Sequence, residues 1–578
     1  MQNRFKYIVL TILSLNVIVS FAQEREVDSI DAGTVNVVKP YTPKISDAFK
    51  IKETPSLNDS TTANKKEIKY NIFSIPVAST FTPAKGKAAK VDKEKAVKLY
   101  DNYASLGVGT YTTILGEVYL NHALSKTERV GGYFSHHSSA GDIEGVNFDD
   151  GFSETGLNAY YSKKGKDLSW RAYGGLDFEN YNWYGLPDQD IDKFNVKHSF
   201  FTAEVGGEVK FDGNSKYKDF YFNEDSIFFR RFGDDQGSGE NRFVARIGFS
   251  VPINDEVINT KMTIDYLGGS FDRSYYLDEE LNYGYFKIGV APSYQMKQDD
   301  LTVNLGVNLV YLNDSEASES NFFVYPNITA SYRLVDELMI AYGGIEGGLI
   351  QNSYYDFAQE NPFVSPTLFV APTDETYNAS IGLRGKLSNS LSYNISGHYL
   401  ADKNRALFKT NSVLGTAEEN YQFGNSLGVV YDDVDTFSIA GELNVDINRN
   451  FTLVLKAEYF GYSTDDEAEA WNLPDIEASL FLDYQIDEHW FAGANLFFVG
   501  ERKDLFAIEQ SFLPVDPPQT ITLDSFFDVN AHVGYKINNQ LSAFAKANNI
   551  VNKDYQRWLN YPVQGIQFLA GATYQFDF

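Results

Sequence analysis

Gly565-Ile566-Gln567-Phe568-Leu569-Ala570-Gly571-Ala572-Thr573-Tyr574-Gln575-Phe576-Asp577-Phe578 decides the fold. Ile566, Phe568, Ala570, Ala572, Tyr574, Phe576 and Phe578 share one parity, while Gln567, Gly571, Thr573, Gln575 and Asp577 share the other. Neighbouring side chains of a strand point to opposite faces, so this is a strand with one apolar and one polar face. A soluble protein rarely leaves such a strand last and uncovered, because a bare apolar edge invites aggregation. A bacterial outer-membrane barrel uses it to close the ring, with lipid outside and water inside.

The same alternation recurs upstream. Leu301, Val303, Leu305, Val307, Leu309 and Tyr311 alternate with Thr302, Asn304, Gly306 and Asn308. Similar runs start at Phe437, Ile476 and Phe527. A helix needs recurrences of three and four, which these runs lack. Tight polar turns at 125–128, 163–167, 296–300, 335–337, 387–390, 448–450, 487–489 and 538–540 alternate with longer polar excursions. Those excursions cover 140–152, 181–198, 273–283, 351–375, 403–434, 464–473, 501–524 and 554–563. Short turns on one rim and long loops on the other mark an up-and-down transmembrane barrel. At about 10 residues per crossing, residues 101–578 accommodate about 22 antiparallel strands. The fold class is therefore all-β, with a short N-terminal arm. A last strand ending in the periplasm places both termini and the tight turns there, and the long loops outside the cell.

Composition agrees. A formal charge of −29 argues against a nucleic-acid partner, and the absence of cysteine excludes disulfides and thiolate metal sites. No run of about eighteen apolar residues follows the leader, so no transmembrane helix is expected. Residues 1–22 read as a signal peptide: Arg4 and Lys6 are the basic region, Tyr7 to Val19 the apolar one, and Ser20-Phe21-Ala22 the cleavage site. Residues 23–100 read as a partly disordered periplasmic arm, rich in lysine from Lys85 to Lys98.

Two segments carry a resemblance. Ala545-Lys546-Ala547-Asn548-Asn549-Ile550-Val551-Asn552-Lys553-Asp554-Tyr555, followed by Tyr561-Pro562 and the closing strand, resembles the end of TonB-dependent outer-membrane receptors. Lys98-Leu99-Tyr100-Asp101-Asn102-Tyr103, with His136-His137-Ser138-Ser139, is similar to plugless receptor-like barrels of Bacteroidota. The resemblance implies a barrel of 22 strands for solute transport and a terminal aromatic signal for barrel assembly. It departs from the family in the 23–100 segment, which is short for a plug domain and lacks its glycine-rich pattern. Asp31-Ala32-Gly33-Thr34-Val35-Asn36-Val37-Val38 matches a TonB-contact box loosely, so use of TonB stays open.

A barrel this wide needs a stopper. The candidates are the arm, a partner such as a separate plug or lipoprotein, and the 351–375 loop, stiffened by Pro362, Pro366 and Pro372. That loop suits an infolded constriction or an external lid. Glu442, Asp446, Glu477 and Asp483 are expected on the lumen wall, with His122, His398 and His532. His136 and His137 are adjacent on a strand and face opposite sides. Acidic loop clusters at 188–192, 278–280 and 465–469 read either as divalent-cation collectors or as solvated charge. The aromatic stretch 180–186 reads as a sugar-stacking surface or a membrane-boundary girdle. No catalytic motif stands out, so no enzyme activity, cofactor, catalytic residue or metal ligand is assigned. The expected role is solute uptake through a porin-like barrel of receptor type. The alternative is a non-transporting accessory subunit of a secretion, assembly or surface complex.

Overall fold

The computed structural model describes residues 98–211, 221–222, 224–253, 256–447, 450–510 and 513–578. The expected signal peptide, and the arm as far as residue 97, lie outside the described residues. One sheet of 23 strands makes the wall, and the two-residue Tyr221–Phe222 is only a patch on Gly239–Ile253. The other 22 pair antiparallel, each with its predecessor, from Asn102–Gly109 to Gln567–Phe576. The first and last of them also pair, from Asn102↔Phe576 to Gly109↔Leu569, and the sheet becomes a closed cylinder.

Polarity is inverted relative to a soluble protein. Phe568, Ala570, Ala572 and Tyr574 are exposed, whereas Thr573 is only 2% exposed. Ile381 is 74% exposed, while Ser396 on the other parity of the next strand is buried. Apolar residues thus meet hydrocarbon and polar ones face the lumen, as the alternation predicts. Some inward aromatics lie flat because a glycine faces them across the strands. A Cβ at Gly206 would sit 2.5 Å from the Tyr173 ring, and one at Gly382 would sit 2.5 Å from that of Tyr342.

The rims differ as expected, with exceptions. Strands Leu391–Thr410 and Leu427–Ile447 reach much further than the predicted 403–434 loop allows. On the long-loop rim, the connections at 110–113, 235–238 and 315–318 are tight. The first of these turns on Tyr111 and Thr112, both left-handed at φ 55° and 51°. Of the predicted lumen-wall histidines, His122 is on the outer face. It shares the parity of exposed Ile114 and Leu120, and its ring lies 6.0 Å from that of Phe578. At the tight-turn rim an amphipathic ring suits the membrane boundary, so its polarity does not draw it inward. His398 faces the lumen and its Nε2 lies 2.9 Å from Ser396 Oγ, while His532 pairs with inward Lys546.

Placing a charge on the lipid face tests this orientation. Ile381→Arg is expected to destabilise the barrel by about 2–4 kcal/mol if it lies near the bilayer centre. The inward control Asn378→Arg is expected to change stability by about 0.5 kcal/mol or less. Urea unfolding in lipid vesicles measures both.

Candidate functional site

Residues 351–372 link Met339–Ile350 to Thr373–Ser388 and turn inward onto wall residues Glu179, Glu240 and Arg242. Their local structure follows from sequence. Ser353 caps the helix Tyr354–Glu360: its Oγ accepts from the Asp356 N–H at 3.1 Å and donates to Asp356 Oδ2 at 2.6 Å. Pro362 follows the helix, and Asn361 before it is extended, as residues preceding proline prefer. Tyr354, Phe357 and Ala358 are buried. Tyr354 meets Phe232 and Phe271 edge-on at 5.0 and 4.9 Å, and Phe357 meets Phe408 at 5.9 Å. Beyond the helix, Phe363 stacks on Tyr561 at 3.9 Å.

Polar ties fix the segment to the wall on both flanks. On one flank, His198 Nε2 lies 2.6 Å from the Pro362 carbonyl, which makes that nitrogen the donor. Tyr354 donates from its hydroxyl to Asp234 at 2.7 Å and from its N–H to Glu240 at 2.6 Å. Tyr285 donates to the Val370 carbonyl at 3.0 Å. On the other flank, Leu427 and residues 363–365 exchange two backbone hydrogen bonds, and the Tyr431 hydroxyl both donates to Phe369 O and accepts from Ala371 N–H. A charge network strengthens the first flank. Arg242 forks Asp265 at 3.1 and 2.9 Å and reaches Asp356 at 3.1 Å, while Lys287 lies 3.5 Å from Asp265.

Neighbouring loops pack against the segment. Trp183 is buried and stacks on His198 at 4.0 Å, and Asn425 donates to its carbonyl. Tyr184 donates to the Pro562 carbonyl at 3.0 Å, and Gln564 to the Gly141 carbonyl at 3.0 Å. The 180–186 aromatics are therefore core residues, neither a sugar platform nor a girdle. The acidic loops are partly committed too: Glu467 accepts from Lys409 and Trp471, and Glu469 from Lys503. Among the described residues no cluster of His, Asp and Glu is arranged to hold a metal ion.

Sequence reasoning missed this charge network and one further pair. Glu360, at the end of the infolded helix, and Arg557, in the last loop, influence each other without a close ion pair. Burial raises the Glu360 carboxyl from 4.5 to about 7, against the pull of Arg405 and Arg557, and Asp356 adds to the rise. Burial likewise lowers the Arg557 guanidinium. Outside this closure, a groove of about 510 Å³ is lined by Phe506, Leu523, Asp524, Lys553, Tyr555 and Asn560, a size suited to a small solute.

Of the predicted wall residues, Glu442 lies on the parity of buried Ser438, across the strands from Lys456 at 3.3 Å. His136 bonds Thr155 and Ser138, whereas His137 packs on Phe152, so the two do face apart.

Solved structures resemble this architecture at low identity. The pyoverdine outer membrane receptor FpvA from Pseudomonas aeruginosa, bound to pyoverdine, aligns with TM-score 0.62 over 84% of this chain and 80% of that one, at 11% identity. The ferric-catecholate import receptor Fiu from E. coli K12 aligns at 0.60 over 82% of each chain, at 10% identity. The copper transporter OprC aligns at 0.58 over 82% of this chain and 80% of that one, at 12% identity. At such identities the likeness is one of fold. No curated protein matches significantly in sequence. The family model "TonB dependent receptor-like, beta-barrel" matches residues 96–550, most of the chain. The protein therefore belongs to the TonB-dependent receptor-like β-barrel family of the outer membrane.

Proposed function

We propose that this protein takes up a solute across the outer membrane through its barrel, with residues 351–372 as the gate. In this reading the long-loop rim faces outside the cell, and the tight turns and both termini face the periplasm. The carrying observation is that residues 351–372 are buried against wall residues and neighbouring loops. The stopper in this reading is a segment of the wall's own chain, held by an apolar core, by hydrogen bonds that include two backbone bonds with Leu427, and by ion pairs, all of which can break and re-form without unpairing the barrel strands. FpvA and Fiu, which share the fold, are described as a pyoverdine receptor and an import receptor, and this supports uptake. The expected TonB-contact segment 31–38 lies outside the described residues and carries no weight here. No catalytic role is proposed.

One observation favours the accessory reading. Beside the paired strands Arg502–Phe506 and Gln519–Leu523, Leu513 and Val515 are exposed, as a docking patch for a partner would be. Conductance separates the two readings. Replacing residues 353–371 by a short glycine-serine linker is expected to give a large, steady conductance in planar bilayers that the intact protein lacks. A variant that stays as tight as the intact protein would reject the gate.

Closure is also expected to depend on pH. Glu360 is neutral in the closed state up to about pH 7, whereas a freely solvated glutamate ionises near 4.5. The closed state is thus favoured most below pH 4.5 and loses that advantage as pH rises toward 7. Opening frequency is expected to climb across this window and then level off. In Glu360→Gln the climb should be clearly smaller.

A further inference from the structure

The charge network on the wall is unevenly filled. Glu240 and Asp265 are almost fully buried, at 1% and 4% side-chain exposure. Asp356, the acid that the infolded segment contributes to this network, is 47% exposed. Within this network Arg230 is incompletely satisfied. Its side chain is 7% exposed, yet its Nε has no hydrogen-bond partner. Its Nη2 lies 3.6 Å from Glu240, 4.0 Å from Asp356 and 3.4 Å from Ser353 Oγ, all long for a guanidinium contact. The Tyr355 ring covers its plane, with the centroid 3.6 Å away. Two arginines on neighbouring strands therefore converge on one half-exposed carboxylate, and one of them has an unused donor. Guanidinium forks match carboxylate and phosphate oxygens in pairs, a geometry that Asp356 does not satisfy at Arg230.

We propose that Arg230 and Arg242 form an anion site on the lumen wall, that Asp356 fills it in the closed state, and that a solute bearing several carboxylate or phosphate groups opens the mouth by taking the place of Asp356. The inference rests on the gating role of residues 351–372 and adds the class of solute that the gate admits. Glu240, Asp265 and Lys287 stay in the wall as the fixed frame. Displacing the Asp356 carboxylate also breaks the hydrogen bond that Ser353 Oγ donates to it, so exchange at one carboxylate removes a tie at the start of the helix.

Binding and conductance test different links. Calorimetry on the detergent-solubilised full chain uses inorganic pyrophosphate and propane-1,2,3-tricarboxylate at constant ionic strength. Asp356→Asn removes the internal competitor and is expected to bind at least one probe about tenfold more tightly than the wild type. Arg242→Lys keeps the charge but loses the fork, and is expected to bind more weakly than the wild type. Binding of one probe alone would assign the site to that group. Equal affinity in the wild type and Asp356→Asn, or no binding by either, would overturn the inference. In bilayers, probe added on the long-loop side should raise the opening frequency of the wild type several-fold. If the linker variant conducts but the wild type ignores both probes, the anion inference falls and the gate stands. If the linker variant stays closed, the gate itself falls, whatever calorimetry reports.

Discussion

Hydrocarbon offers no partner to a backbone N–H or C=O, so a chain that crosses it with strands has to satisfy every such group within itself. Here that demand is met where Asn102–Gly109 pairs with Gln567–Phe576 and leaves the ring without an edge. The rest follows from closure. Side chains alternate between lipid and lumen, the outer face becomes apolar, and the inner face carries the charge. A ring of this many strands also leaves a bore that its own wall residues cannot fill. The protein thus solves one hydrogen-bonding problem and creates another, that of sealing a hole.

The seal has two parts with different physics. Trp183, Tyr354, Val364, Tyr421 and Tyr561 build an apolar core from the loops and the infolded segment. That core supplies cohesion without direction. The hydrogen bonds from His198, Tyr285 and Tyr431, and the ion pairs around Arg242, supply direction. A purely apolar stopper would stay collapsed, and a purely polar one would dissolve into the water of the lumen. The combination leaves a seal that is shaped yet can be released.

Much of this was legible in the chain because a strand's period is local. The closing strand, most of the tight turns and the long loops follow from alternation and turn residues. The 351–375 loop stood out through its length and prolines, although inward and outward folding gave the same pattern. What was hidden depends on contacts distant in sequence. Trp183 looks like a surface aromatic until His198 and Tyr421 cover it. The bond from Arg242 to Asp356 spans 114 positions and leaves no local trace. The turn at Tyr111 and Thr112 lacks the glycine that would have announced it. His122 misled because polarity was taken for inwardness, whereas its parity with Ile114 and Leu120 fixes its face.

The ties of the infolded segment run in both directions around the ring, to strands from Leu168–Asn182 through Leu281–Gln298 and to Leu427–Ile447. A wide cylinder of strands is soft toward flattening, because an oval outline breaks none of its hydrogen bonds. A crosspiece anchored on two arcs resists that squashing as a spoke braces a hoop. Removing the crosspiece would therefore relax the roundness of the cylinder as well as clear its bore, and the passage and the wall's stiffness would change together.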